Sequence, residues 1–355
     1  VAKKTTNKNE TLNDALEFLE EKYGPGVAFA GDSFERVPCE AIPTGIMTVD
    51  HALGVGGIPI GRLTEIFGPE GCGKTTLALH VAAEAQKLGY VAAFIDVEHA
   101  LDPTYAEHGI GVDMSKLIIS QPDYGEQALD IVQVFCQNPA VNIVILDSVA
   151  ALMTKAEIEG ELEDQKTAEV ARLMSKSCKK IAKLADKGHT AVIFINQLRD
   201  KISFGMGPST HTPGGRALKY FASSRIEIKR VATLRDSAQK PKGHTVRAKI
   251  VKHKVARPFL EAEFDIMYDG RGASSLGCLI DLGVKEKLLT KAGNWLSYKD
   301  IKLGNGKEQA VNALRIDTEL AEQLKKDVLG KLKPEPEPEP EPVKEIKSDA
   351  EHAEI

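Results

Sequence analysis

Nowhere in this chain of 355 residues do about 18 apolar residues follow one another, the length a helix needs to span a bilayer. The first residues also lack the apolar stretch of a secretory signal. A cytoplasmic protein with no membrane partner is therefore expected. Cysteine is sparse: Cys39, Cys72, Cys136, Cys178 and Cys278 are odd in number, scattered, and include no C-x-x-C pair. Neither a disulfide framework nor a zinc site is expected from such a set. What remains is ordinary for a soluble globular protein, with 42% hydrophobic residues and enough length for one large α/β core plus a small satellite domain.

The most informative segment is Gly68-Pro69-Glu70-Gly71-Cys72-Gly73-Lys74-Thr75, continued by Thr76. It follows a strand-like run, Leu63 to Phe67, and precedes a helix-like one, Thr76 to Lys87. In that context G-x-x-x-x-G-K-[ST] is a phosphate cradle. Glycines let backbone N–H groups turn inward, Lys74 reaches the β and γ oxygens, and the Thr75 hydroxyl is placed to ligate Mg²⁺ at an anion-favouring helix N-terminus. A nucleoside triphosphate is the expected ligand. Cys72 stands where a small residue of almost any kind would serve.

Charge is unevenly distributed. The net charge is −5, yet from Pro334 to Ile355 eight acids face two lysines, and between Lys219 and Arg257 twelve Lys or Arg face Glu227 and Asp236. The basic segment is a candidate polyanion-binding surface and the tail its electrostatic opposite. The tail opens with alternating Pro and Glu (Pro334 to Pro342), a composition that cannot form a packed core.

Residues 11 to 23 carry Leu12, Ala15, Leu16, Leu19 and Tyr23 at helical spacing behind a Thr11-x-x-Asp14 capping pattern. The apolar stripe of this helix must be covered by its own domain or by a neighbouring subunit. From about 62 to 230, strand-like runs alternate with helical ones: Leu63 to Phe67, Val91 to Asp96, Leu117 to Ser120, Val141 to Leu146 and Ala191 to Ile195. This predicts an α/β fold with a central, mostly parallel twisted sheet covered on both faces, its sites at the carboxyl ends of the strands. Ser224 to Val231, Thr245 to Val255 and Phe259 to Ile266 then read as an antiparallel extension of that sheet. The expected divisions are 1–34 (N-terminal helix), 35–270 (ATPase core), 271–332 (small C-terminal α/β domain) and 333–355 (acidic tail).

Three strand ends carry further candidate chemistry. Val141 to Leu146 leads into Asp147, a metal-side acid beside Lys74 and Thr75. Phe94-Ile95-Asp96-Val97-Glu98-His99 offers Glu98 to activate water, with Asp96 read as structural. Ile193-Phe194-Ile195-Asn196-Gln197 puts an amide within reach of the γ-phosphate. Beyond it, residues 198 to 216 form a stretch too long for an ordinary connector. It carries Arg199, Lys201 and Arg216 for phosphates and Ile202, Phe204 and Met206 to wedge between bases; a lid over the nucleotide is the alternative.

Taken together, these residues resemble the bacterial RecA family of DNA strand-exchange recombinases over nearly all of residues 11 to 330. The likeness runs through Gly68 to Thr76, Ala93 to Asp96, Glu98 to Pro103, Ser120 to Asp123, Gly125 to Leu129, Asp147 to Leu152, Lys155 to Glu161, Phe194 to Gln197 and Asp281 to Lys287. It implies a RecA-like P-loop ATPase that uses ATP and Mg²⁺, forms a helical filament of identical subunits on single-stranded DNA, and pairs that strand with homologous double-stranded DNA. By the same likeness Glu98 activates water, Asp147 supports Mg²⁺, and Gln197 senses the γ-phosphate. Asp102, Tyr105 and Tyr268 hold the adenine, Lys252 and Lys254 reach a neighbour's ATP, and Lys219, Tyr220 and Arg225 lie at the subunit interface. The N-terminal helix becomes an oligomerisation element. DNA contacts are implied for loops 159–168 and 198–212, with Arg172, Arg199, Ile202, Phe204, Met206, Gly214 and Gly215. The first loop departs from the family: six acids against Lys166 between Glu157 and Glu169 leave backbone N–H groups as its means of touching phosphate. A role in the SOS response, with a repressor of the LexA type as a partner, is a further implication. A hexameric P-loop helicase and a DNA-coating filament are the alternative readings.

Overall fold

The computed structural model describes residues 8–24, 27–28, 39–160, 168–200 and 210–332. The chain divides into two compact units, Val1–Cys39 and Glu40–Ile355. The first carries α1 (Lys8–Tyr23), which starts three residues before the expected cap at Thr11. Thr11 thus lies inside the helix, because Lys8 and Glu10 are good helix formers and carry it backwards. Leu12, Phe18 and Tyr23 are 57%, 59% and 62% exposed, with the Lys22 ammonium over both rings.

The second unit begins β1 (Ala41–Ile42), α2 (Met47–Leu53), β2 (Ile58–Pro59), β3 (Leu63–Gly68), α3 (Lys74–Lys87) and β4 (Ala92–Asp96). A one-turn π-helix (Tyr105–Ile110) follows, then β5 (Leu117–Ser120), α4 (Gly125–Gln137), β6 (Ile143–Asp147), α5 (Lys155–Glu159), α6 (Glu169–Gly188) and β7 (Ala191–Gln197). Next come β8 (Arg199–Asp200), β9 (Thr210–His211), α7 (Ala217–Phe221), β10 (Ser224–Arg235), β11 (Pro241–His253), β12 (Glu261–Met267) and β13 (Gly272–Ala273). The remainder is α8 (Ser275–Lys285), β14 (Leu289–Ala292), β15 (Trp295–Tyr298), β16 (Ile301–Asn305), α9 (Lys307–Ile316) and α10 (Thr318–Leu332).

Nine strands form one sheet in the order β13-β12-β11-β10-β3-β7-β6-β4-β5. Pairings from β10 through β5 are parallel, and those among β10, β11, β12 and β13 are antiparallel. Parallel strands buried on both faces read as continuous apolar runs. Their alternation divides two cores: Phe94, Ile143, Ile145, Ile193 and Ile195 pack on the α3 side, and Ala93, Val144, Leu146, Val192 and Phe194 on the α4 and α6 side. The C-terminal helices and the β14-β15-β16 sheet enclose a third core around Leu279, Leu296, Tyr298 and Leu324.

Two boundaries differ from expectation. β10 runs on to Arg235, past its pairing with β3, which stops at Glu227↔Phe67; this end of β10 is paired with β11 along one edge and is mostly exposed, with no apolar alternation to betray it. The expected irregular stretch after Gln197 is bounded by a ladder, with Arg199 opposite His211 and Asp200 opposite Thr210.

β3 carries the phosphate loop at its end because of its central position. A Cβ on Gly68 would lie 2.0 Å from the Ile228 carbonyl oxygen of β10. We expect Gly68→Ala to lose about 1–3 kcal/mol of stability through this overpacking, seen as a lowered thermal midpoint; an unchanged midpoint would mean that β10 moves aside freely.

Candidate functional site

β3 leads into a loop that ends at Gly73, the left-handed N-cap of α3. No side chain caps this helix, so its first N–H groups are left for an anion. Lys74 is 8% exposed, and its Nζ donates to the carbonyls of Gly68 (3.2 Å) and Pro69 (2.6 Å). The ammonium is thereby held over the loop it would serve. Cys72 turns inward, its thiol donating to the Pro69 carbonyl at 2.9 Å. Burial pushes that thiol's pKa up, which disfavours the reactive thiolate.

Adjacent strands β3, β7, β6 and β4 end together. Gly68 pairs with Gln197, and Asp96 with Asp147. Thr75 donates its hydroxyl to Asp147 Oδ2 at 2.5 Å. Glu98 accepts from the Ser148 hydroxyl and, at 3.2 Å, from the Gln197 side-chain amide. Asp96, fully enclosed, accepts from the Ala100 and Leu101 N–H groups and from Gln121, so it braces the turn that presents Glu98. The site thus brings together Lys74, Thr75, Asp147, Glu98 and Gln197, and adds Ser148.

Burial pushes the Asp147 carboxyl up to about 6, opposed by the Thr75 hydroxyl and Lys74 and reinforced by Glu98 and Asp96. A hydroxyl and a carboxylate short of positive charge form an oxygen-only donor set that fits a hard divalent cation such as Mg²⁺. Among the described residues no cluster of three or more His, Cys, Asp or Glu could hold a metal ion. The folded protein holds the Asp147 proton more tightly than the unfolded chain does. Its stabilising contribution is therefore complete below about pH 4 and is lost as pH rises through about 6. In metal-free, nucleotide-free buffer, Asp147→Asn should exceed the parent in stability at neutral pH by about 2–3 kcal/mol. Urea titrations should show that gap closing near pH 4, and an equal offset at both pH values would contradict this account.

On the other flank of the loop, Tyr105 shares a hydrogen bond with Thr76 (3.3 Å). Asp102 accepts from the Thr104 and Tyr105 N–H groups, so its carboxylate opens the Tyr105–Ile110 turn. Ile266 Cδ1 occupies the space where a side chain on Gly73 would go. Tyr268, two residues on, is half-exposed and hydrogen-bonded to His244 at 3.1 Å. Tyr105 and Ile266 thus lie against one side of the phosphate loop and the start of α3.

Lys252 and Lys254 lie elsewhere. Register sets Lys252 opposite Arg225, and Arg225 opposite Glu65, three residues before Gly68. Lys252 Nζ donates to the carbonyls of Lys219 (2.6 Å) and Tyr220 (3.1 Å), and Lys254 reaches that of Tyr220 (3.5 Å). Burial and then neighbouring Lys254 and Arg225 pull the Lys252 pKa down. Neither lysine meets Lys74 of its own chain. The basic run they belong to is less bare than its composition implies: Arg247 pairs with Glu263, Lys249 with Glu261, Lys229 with Glu227 and Lys242 with Glu308.

At the base of the second loop, Arg199 is exposed and donates to the Ala150 carbonyl at 3.4 Å. Gly214 and Gly215 have positive φ, and added Cβ atoms would lie 2.7 Å from Val149 Cγ1 and 2.8 Å from Ala171 Cβ. They let the returning chain lie against the first turns of α6, where Arg172 is exposed. Ile202, Phe204, Met206 and most of loop 159–168 lie outside the described residues.

Sequence reading assigned no role to Ser148, Glu65 or Asn196, and it named Arg225 as an interface residue without the buried acid that it meets. A lone acid amid Leu63-Thr64-Glu65-Ile66-Phe67 was the signal available, since a strand buried on both faces has no solvent for a carboxylate.

Two family models match the chain: RecA N-terminal domain over residues 10–274 and RecA C-terminal domain over residues 277–333. Protein RecA of a Nitratiruptor species is 50% identical over 324 residues, 91% of this chain and 93% of the relative. Protein RecA of Aquifex aeolicus is 49% identical over 323 residues, with the same coverage. The crystal structure of the RadB recombinase aligns with a TM-score of 0.50 at 24% identity, over 65% of this chain and 98% of its own, a likeness of fold. Matched along both its large and small domains and sharing about half its residues with relatives of nearly equal span, the chain belongs to the RecA family.

Proposed function

We propose that this chain is an ATP-dependent DNA recombinase that forms a filament on single-stranded DNA and catalyses homologous pairing and strand exchange with duplex DNA in recombinational repair. The observation that carries this reading is the junction at Gln197. Its side chain touches Glu98, while the chain just beyond it enters the ladder at the base of loop 198–212. A group that contacts γ-phosphate there is mechanically continuous with a DNA-contacting segment.

Lys74 turns from the loop carbonyls to the β and γ oxygens. Thr75 and Asp147 would hold Mg²⁺, which when bound neutralises charge on the triphosphate. Glu98, kept in place by Ser148 and Gln197, orients the attacking water and takes its proton. Asp102, Tyr105 and Tyr268 flank the adenine. Lys252 and Lys254, remote from their own nucleotide, complete the site of an adjoining subunit, with Lys219, Tyr220 and Arg225 at the same interface and α1 docked on the neighbour. Arg172, Arg199, Gly214 and Gly215, with Ile202, Phe204 and Met206, make up the DNA surface. Residues 1–34, 35–270, 271–332 and 333–355 serve as docking segment, ATPase core, small domain and acidic tail.

A homologous pairing assay tests the whole reading. Joint molecules between single-stranded and duplex DNA should form with ATP and Mg²⁺ and not without ATP. A protein that coats DNA and hydrolyses ATP yet forms no joint molecules would reduce the reading to a DNA-coating filament.

A further inference from the structure

Glu65 sits in the middle of β3 with its side chain wholly buried. A buried carboxylate costs several kcal/mol unless paired, and an apolar side chain commonly fills such a place with no loss. Here both oxygens are used. Oε2 accepts from Arg225 Nε at 2.5 Å, and Oε1 accepts from Asn196 Nδ2 at 3.0 Å. Asn196, also fully buried, passes the constraint on: its Oδ1 accepts from the Gln197 N–H at 2.9 Å, and its Nδ2 also donates to the Pro213 carbonyl at 3.2 Å. The Arg225 guanidinium stacks on Phe67, 4.4 Å from the ring centre.

The chemistry of these groups makes the order directional. A carboxylate only accepts, so Asn196 must turn its NH₂ towards Glu65, which leaves its oxygen for Gln197. An amide at position 65 has one donor end and one acceptor end. With its acceptor on Arg225 it would present NH₂ to Asn196, which would flip and set a donor against the Gln197 N–H. One carboxylate therefore fixes the backbone at both ends of loop 198–212, at Gln197 and at Pro213.

We propose that Glu65, acting through Asn196, is a positioning residue that holds Gln197 and the returning end of the DNA loop in register, and that Arg225 ties this arrangement to the face carrying Lys252 and Lys254. The inference rests on the reading of Gln197 as the nucleotide sensor. Its consequence is a loss of coupling without a loss of nucleotide binding, since none of Glu65, Asn196 or Arg225 contacts Lys74, Thr75 or Asp147 among the bonds of the site.

The test measures single-stranded DNA affinity of the full chain with ADP and with a non-hydrolysable ATP analogue, the ratio of the two being the coupling. Glu65→Gln should bind the analogue within about twofold of the parent while the ratio falls about tenfold, the loss of one charge-assisted hydrogen bond. Asn196→Asp sets two carboxylates together and should lower the ratio at least as far. The double variant E65Q/N196D restores one donor facing one acceptor with the roles exchanged and keeps an acceptor for the Gln197 N–H, but not the bond to Pro213; it should recover a part of the ratio that Asn196→Asp loses, a rescue that a merely structural role does not predict. If Glu65→Gln does not fold, the double variant compared with Asn196→Asp decides the matter by the same ratio. A parent-like ratio in Glu65→Gln, alongside a lost ratio in Gln197→Asn, overturns the proposal alone. A parent-like ratio in Gln197→Asn overturns the sensor reading and this inference with it.

Discussion

Lys74→Ala should leave a folded protein with no measurable ATP turnover. The side chain is nearly buried, and its ammonium bonds the Gly68 and Pro69 carbonyls. Both acceptors keep a second partner in the variant, because the Leu198 N–H reaches Gly68 and the Cys72 thiol reaches Pro69. Little stability is therefore at stake. What disappears is a cation enclosed beside the loop, which on the proposed reading would face the transferring phosphoryl group. Losing a charge-assisted contact should weaken nucleotide binding by about 10–100-fold, and losing its transition-state role should cut turnover by about 10³-fold. Fluorescent-nucleotide titration, a coupled ATPase assay and a thermal melt separate these effects. A variant that turned over ATP at even a tenth of the parent rate would remove Lys74 from the mechanism.

Glu98→Gln should separate binding from chemistry. Oε1 of Glu98 accepts from both Ser148 and Gln197, and a glutamine can keep its oxygen in that position. The geometry survives; the proposed base does not. We expect nucleotide and DNA affinities near those of the parent and turnover lower by about 10²–10⁴-fold, so that filaments formed with ATP persist. Single-turnover hydrolysis and electron microscopy of filaments check the two halves of this expectation. Normal hydrolysis would move the role of base to another group.

Much of this site was legible because its parts are contiguous. The phosphate loop needs only a strand, a glycine turn and a helix in succession, and Asp147 and Gln197 announce themselves as polar residues closing apolar runs. Other expectations were displaced for identifiable reasons. The N-terminal helix ran past Thr11 because local propensity outweighed one capping pattern. The end of β10 outran its apolar signal because beyond its pairing with β3 its side chains are mostly exposed. The segment from Lys219 to Arg257 looked barer than it is because the acids that neutralise Arg247 and Lys249 belong to β12, the strand directly opposite.

The order of residues along the chain determined the ligand class, the fold class and the family, since phosphate recognition, strand alternation and motif spacing are all local properties. The tertiary structure alone decided which groups meet. Glu98 finds Ser148 and Gln197 across 50 and 99 residues of sequence, and Glu65 finds Asn196 and Arg225 across 131 and 160. Those encounters follow from a sheet that places β3 beside β7 and β10, and from a register that burial on both faces holds against slipping by even one residue.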